Sequence, residues 1–172
     1  GAVFVDAEDA AGPWGRAGGD GCGNRLVLAA FRLVDVNAKL KIVPYSRCKA
    51  HVINGTAAAC FSMSSSSELI GKVAFSKEAL YFPETNIIVK RGAKFENLKA
   101  KFEESNLIDL RIGVVNGYEY PQEVLNFLTK QKHVILLKDE ETVVKMLETS
   151  RIDFGLVNLD ELKTLESIYS AN

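Results

Sequence analysis

The chain has 172 residues, 47% of them hydrophobic and 25% charged, with a net charge of −1. That balance suits a globular protein long enough to bury a core, as one domain or two small lobes, and it lacks the concentrated basic face that nucleic-acid recognition requires. No apolar run approaches the roughly 20 residues that span a bilayer, no signal peptide is present, and a first residue of Gly1 reads as a processed or trimmed form.

Residues 2–7 (AVFVDA) form a short β-rich run that ends among Asp6, Glu8 and Asp9. A long loop follows, with six glycines and the only tryptophan, Trp14. Leu26, Val27, Ala30, Phe31 and Val34 recur at helical spacing, which predicts an amphipathic helix over 24–34. A strand over 39–43, a helix over 46–54 and a strand over 57–63 come next, with Asn54-Gly55 as the helix stop. Asn54-Gly55-Thr56 also matches a glycosylation sequon, but turn chemistry accounts for it. Arg47 and Lys49 on the second helix are expected to face solvent.

The strand over 57–63 carries little bulk before Phe61 and runs into four serines, so a ligand could lie close to its backbone. In an α/β sheet the carboxyl ends of strands are where ligands bind, and this stretch is read as one wall of a small-molecule cleft. Residues 72–75 and 81–89 read as extended, with Ile87-Ile88-Val89 the clearest strand. The composition changes after Lys90-Arg91-Gly92, and a lysine-rich segment over 95–102 leads into a strand over 110–115. A helix over 121–130, an apolar strand over 133–137, a helix capped by Asp139, a strand over 152–157 and a final helix over 159–169 complete the order.

Short strands alternating with helices of about 10 residues argue for an α/β fold with parallel-type sheets. Two such units, lobe one over 1–89 with a crossover and lobe two over 90–172, leave a cleft between them, a common place for a ligand. The three cysteines, Cys22, Cys48 and Cys60, are too few for a disulfide scaffold. Either they are three small buried residues, or Cys48 at a helix start and Cys60 near the end of the next strand form a bridge in an oxidising compartment. His51 and His133 lie in unrelated places, and no metal or other cofactor is expected. The glycine loop GGDGCGNRLV lacks the third glycine of a dinucleotide fingerprint, and its loop is too long for that motif's tight turn.

The runs VPYSRCKAHVINGTAAACFSMS, YFPETNIIVKRG, LRIGVVNGYEYPQEV and RIDFGLVNLD resemble, in order and over nearly the whole chain, the bacterial extracellular solute-binding proteins of family 3. The resemblance implies the type II periplasmic-binding fold, two α/β lobes closing on a ligand. It also implies a periplasmic or extracytoplasmic protein that hands a small polar ligand to the membrane permease of an ABC transporter. Some members of the family are sensor domains of receptors, and a few are dehydratases acting on cyclic amino-acid precursors. In the family the chain crosses back to lobe one after the segment resembling 151–169. Here it stops at Asn172, so the return to lobe one is expected to be lacking, with self-association or a domain swap as its consequence.

The resemblance also locates a site. Ser62, Met63 and Ser64 fall where the first lobe offers backbone and hydroxyl contacts, and Trp14 falls where an aromatic ring often stacks on the ligand. Trp14 serves equally as an anchor of lobe one. The arginine that forks onto a ligand carboxylate is replaced by Leu69. The hydroxyl residue at a lobe-two helix start is replaced by Tyr118 after Gly117, and the acid that takes the ammonium by Asn158. Three departures in order imply a poor binder of ordinary free α-amino acids, because a buried unpaired charge is expensive. Tyr120 either lines the second wall or packs beneath it. Glu8 and Asp9 are read as solvated loop acids, with a cation contact as the alternative. For an enzyme on the same scaffold, Glu8, Glu68 and Glu119 are the acid–base candidates.

Overall fold

A computed structural model of the chain describes residues 1–10, 12–92 and 108–169. The lysine-rich segment over 95–102 lies outside them. The described residues form two sheets. The first has order β2-β1-β3, from β1 (Val3–Glu8), β2 (Ala38–Val43) and β3 (Ala59–Cys60), all parallel. Helices α1 (Cys22–Leu33) and α2 (Tyr45–Ile53) make the crossovers. The second has order β4-β7-β5-β6, from β4 (Glu84–Val89), β5 (Arg111–Val115), β6 (His133–Leu137) and β7 (Phe154–Leu159). Its helices are α3 (Gln122–Leu128), α4 (Glu140–Glu148) and α5 (Leu165–Tyr169). Within it β5 runs parallel to β6 and β7, and β4 antiparallel to β7.

The second sheet is covered on both faces, as parallel strands require. Ile112 and Val114 of β5 join Phe154 and Leu156 of β7 against Val124, Phe127 and Leu128 of α3. The alternate residues Val115 and Val157 face Val143, Val144 and Leu147 of α4 and Ile168 of α5. This is the two-residue period of a strand, read on both sides of one sheet. Asp139 caps α4 by accepting the Thr142 N–H at 2.8 Å, with Glu140 and Glu141 in the first turn, where the helix dipole favours negative charge.

Several expectations shift. The strand over 57–63 shrinks to two residues, because Ser62 takes a left-handed φ of 63° and turns the chain out of the sheet. Residues 72–75 form no strand. The last helix begins at Leu165 instead of 159, since β7 runs on to Leu159 and Asp160 then folds a turn, its Oδ1 accepting the N–H groups of Leu162 and Lys163 at 2.8 Å. Strand 84–89, counted with lobe one as a crossover, is hydrogen-bonded to β7, so the chain changes sheet before residue 84. Cys48 and Cys60 are joined by a disulfide with Cα atoms 5.7 Å apart, which ties α2 to β3, while Cys22 is free and exposed rather than buried. Among the described residues no helix is long and apolar enough to cross a membrane.

Candidate functional site

The carboxyl ends of β1 and β3 face those of β5 and β7 across a cavity of about 990 Å³. Its walls include Glu8, Ser62, Met63, Ser64, Tyr81, Tyr118, Asn158 and Lys163. Ser62, Met63 and Ser64 line it from the side of the first sheet. Ser62 holds an unusual backbone conformation for a side-chain-bearing residue.

Glu8 is the last residue of β1, the central strand of its sheet, and is only 8% exposed. The expectation of a solvated acid fails because residues of both lobes close over it. The Tyr118 hydroxyl donates to Glu8 Oε1 at 2.5 Å. Burial pushes the Glu8 carboxyl up to about 7, against the opposing pull of that hydrogen bond and of the Lys163 charge. Burial also raises the Tyr118 phenol, helped by the charges of Glu8 and Glu140. Tyr118 in turn packs edge-on to Tyr45 at 4.9 Å between centroids. Asp9, by contrast, is exposed.

Lys49, expected to face solvent, is buried. Its ammonium lies 2.9 Å from Glu119 Oε1, 2.9 Å from Glu68 Oε2, and donates to the Gly117 carbonyl at 2.9 Å. Burial lowers the Lys49 pKa, but its bonds to Glu68 and Glu119 outweigh that and hold it above the ordinary lysine value. The Tyr45 hydroxyl donates to the other oxygen of Glu119. Gly117 has φ +83°, and an added Cβ would sit 3.3 Å from the Cα and Cβ of Ser46, so α2 of one lobe rests directly on this loop of the other. Glu119 is thus a structural anchor between lobes, and Arg47 alone of the α2 pair is exposed.

Trp14 is not among the residues that line the cavity. Its ring stacks on Tyr81, with centroids 4.3 Å apart and planes 9° from parallel, and its indole N–H donates to Asp160 Oδ2 at 2.7 Å. Leu69, where an arginine is expected, is fully buried. Asn158 has its side chain engaged by the Thr85 hydroxyl at 2.9 Å, and its backbone N–H donates to Glu140 Oε1 at 2.7 Å. Tyr120 packs beneath the wall, its hydroxyl accepting the Val115 N–H at 3.0 Å.

Sequence reasoning missed Lys163, Glu140 and Tyr81. Lys163 forms a buried ion pair with Glu140. Burial works against its charge, but the charge and hydrogen bond of Glu140, with a contribution from Glu8, hold it above the ordinary lysine value. The only local signal was an acid at a strand end, Asp160, followed three residues on by a lysine.

No protein-family model and no curated relative matches the sequence. Solved structures do. An arginine third transport system periplasmic binding protein from Legionella pneumophila superposes with a TM-score of 0.75 at 16% identity, over 94% of this chain and 70% of that one. The arginine-, lysine-, histidine-binding protein ArtJ from Geobacillus stearothermophilus gives 0.75 at 21%, over 92% and 68%. An ancestral amino acid-binding protein described as a precursor of cyclohexadienyl dehydratase gives 0.70 at 18%, over 92% and 70%. The chain has the two-lobed α/β fold of these periplasmic binding proteins. At such identities the likeness is one of fold.

Proposed function

We propose that this is an extracytoplasmic solute-binding protein that captures a small polar ligand between its lobes by hinge closure and presents it to the permease of an ABC-type transporter. The observation that carries the reading is the cavity at the facing strand ends, mostly apolar with a few polar groups and lined by side chains of both lobes. The fold shared with periplasmic binding proteins supports the same role. The Cys48–Cys60 disulfide suits an oxidising, extracytoplasmic location. In this reading Ser62, Met63 and Ser64 form one wall and Gly117, Tyr118 and Asn158 the other, with Trp14 outside the lining, stacked on Tyr81.

The ligand is not an ordinary free α-amino acid. Leu69 is buried and apolar, Tyr118 is bonded to Glu8, and Asn158 is neutral, so these positions offer no ionic partner for a carboxylate or an ammonium. A thermal-shift screen of a metabolite library that includes the standard amino acids tests both parts. A true ligand at 100 times its dissociation constant stabilises by about 2.7 kcal/mol. Micromolar binding of a standard amino acid refutes the ligand assignment. Flat curves across the whole library refute solute capture.

One observation favours a second reading, an enzyme on the same scaffold with dehydratase-like proton chemistry. Glu8 is buried on the cavity wall with its pKa raised to about 7, where a carboxyl can serve as acid or base at neutral pH. Turnover of a library compound that disappears in Glu8→Gln separates this reading from simple binding.

A further inference from the structure

Lys163 belongs to the turn after β7, yet its aliphatic stem lies against lobe one: a Cβ built on Gly12 would be 3.7 Å from its Cγ and 4.0 Å from its Cε. Lys163, Glu140 and Glu8 are each more than nine-tenths buried, with exposures of 9%, 3% and 8%. The ammonium of Lys163 pairs with one oxygen of Glu140, and the other oxygen accepts the Asn158 N–H. The turn that carries the lysine is fixed from both lobes. Asp160 accepts the Lys163 N–H through Oδ1 and the Trp14 indole N–H through Oδ2, and the Asp160 N–H donates to the Lys163 carbonyl at 3.0 Å.

Among the described residues, every buried carboxylate around the cleft is therefore already matched by the protein. Glu140 has Lys163, Glu119 has Lys49 and Tyr45, and Glu8 has Tyr118. A ligand ammonium entering this cleft would be desolvated with none of these carboxylates left to pair with it, which disfavours its binding. The remaining polar groups on the wall include the hydroxyls of Ser62 and Ser64, the amide of Asn158 and the ammonium groups of Lys72 and Lys77, none of which can neutralise an ammonium. We infer that Lys163 is a built-in cation that fills the site's cation position, so that the cleft takes a polar ligand that carries no ammonium group. The ligand class rests on the solute-binding reading, whereas the occupied cation position does not.

The test removes the lysine and offers its lost atoms back. Thermal unfolding midpoints are measured for the wild type, Lys163→Ala, Lys163→Met and the double variant Lys163→Ala/Glu140→Gln, in propylammonium chloride and in sodium chloride of equal ionic strength. The expected result is a saturable rise with propylammonium in Lys163→Ala alone, because methionine refills the space without charge and Glu140→Gln removes the partner. Should Lys163→Ala not fold by itself, recovery of its far-ultraviolet circular dichroism with the amine supports the assignment in the same way. An absent amine-specific effect, or an equal one in Lys163→Met, overturns the assignment. The ligand class is read from the screen: polar compounds without an ammonium group shift the wild type, and free α-amino acids bind Lys163→Ala at least about tenfold more tightly than wild type. An ammonium-bearing compound that binds both equally overturns the class. If solute capture itself fails, no compound shifts the wild type while the amine rescue persists.

Discussion

Glu8 holds most of the site's chemistry in one side chain, and its character was hidden in the sequence. The pattern Phe4, Asp6, Glu8 puts three residues on one side of β1, and Phe4 on that side is exposed. Further along the strand the same side is covered. Asp6 meets His51 of α2 at 2.6 Å, and Glu8 meets Tyr118, which is 110 residues away. No local pattern announces a partner so distant. Because burial raises the Glu8 carboxyl from 4.5 to about 7, the folded state holds a proton that the unfolded chain has already lost between those values. Stability therefore falls as pH rises from 4.5 to 7 and levels off above, by an amount on the order of 3 kcal/mol. Glu8→Gln keeps an acceptor for Tyr118 and removes the titration. Urea denaturation at pH 4.5, 6 and 8 is expected to find the variant close to wild type at the lowest pH and more stable at pH 8. A wild type and variant that change in parallel across this range would contradict the buried, protonated carboxyl.

At the scale of elements the sequence was most legible where an element stabilises itself. Asp139 followed by Glu140 and Glu141 announced a capped helix, and the apolar run His133–Leu137 announced a strand, which lies at the edge of its sheet. It was least legible where a distant partner decides. The polar run of α2 gave no sign that Lys49 turns inward, because Glu119 and Gly117 supply the reason from the other lobe. Nor did the alanines before Cys60 show that the strand ends where Ser62 turns left-handed. The packing of α4 on β7 gives a sharp test. An added Cβ at Gly155 would overlap Val143 Cγ1 and come within 3.5 Å of Ile88 Cγ1. Gly155→Ala is expected to destabilise by about 1–3 kcal/mol through overpacking. Val143→Ala removes the obstructing methyl groups, so the double variant should lose less than the two single variants added together. Strict additivity in urea melts would show that α4 does not rest on this glycine.

For the whole molecule, the alternation of strands and helices was enough to read a two-lobed α/β fold, and order along the chain is what that fold shares with its structural neighbours. The contacts that hold the lobes together were not readable, since each of those described joins residues far apart in sequence. Trp14 reaches Asp160, Tyr118 reaches Glu8, Tyr45 reaches Glu119, and Lys49 reaches Gly117 and Glu119. These bonds join the two lobes and stabilise their arrangement before any ligand contributes. A net hydrogen bond is worth about 1 kcal/mol, so deleting two of them moves the balance between open and closed forms by about 2 kcal/mol, roughly 30-fold. Trp14→Phe keeps the stacking on Tyr81 and loses only the donor to Asp160, and Tyr118→Phe loses only the donor to Glu8. The double variant is expected to open. Small-angle scattering without ligand should then give a larger radius of gyration than wild type, with the single variants between. A ligand found by the screen should close the double variant again, but with weaker apparent affinity, because part of its binding energy goes into closing the lobes. Identical scattering from all four proteins would mean that the closed form does not depend on these bonds, and that closure is set by the Lys49–Glu119 contact or by the backbone between the lobes.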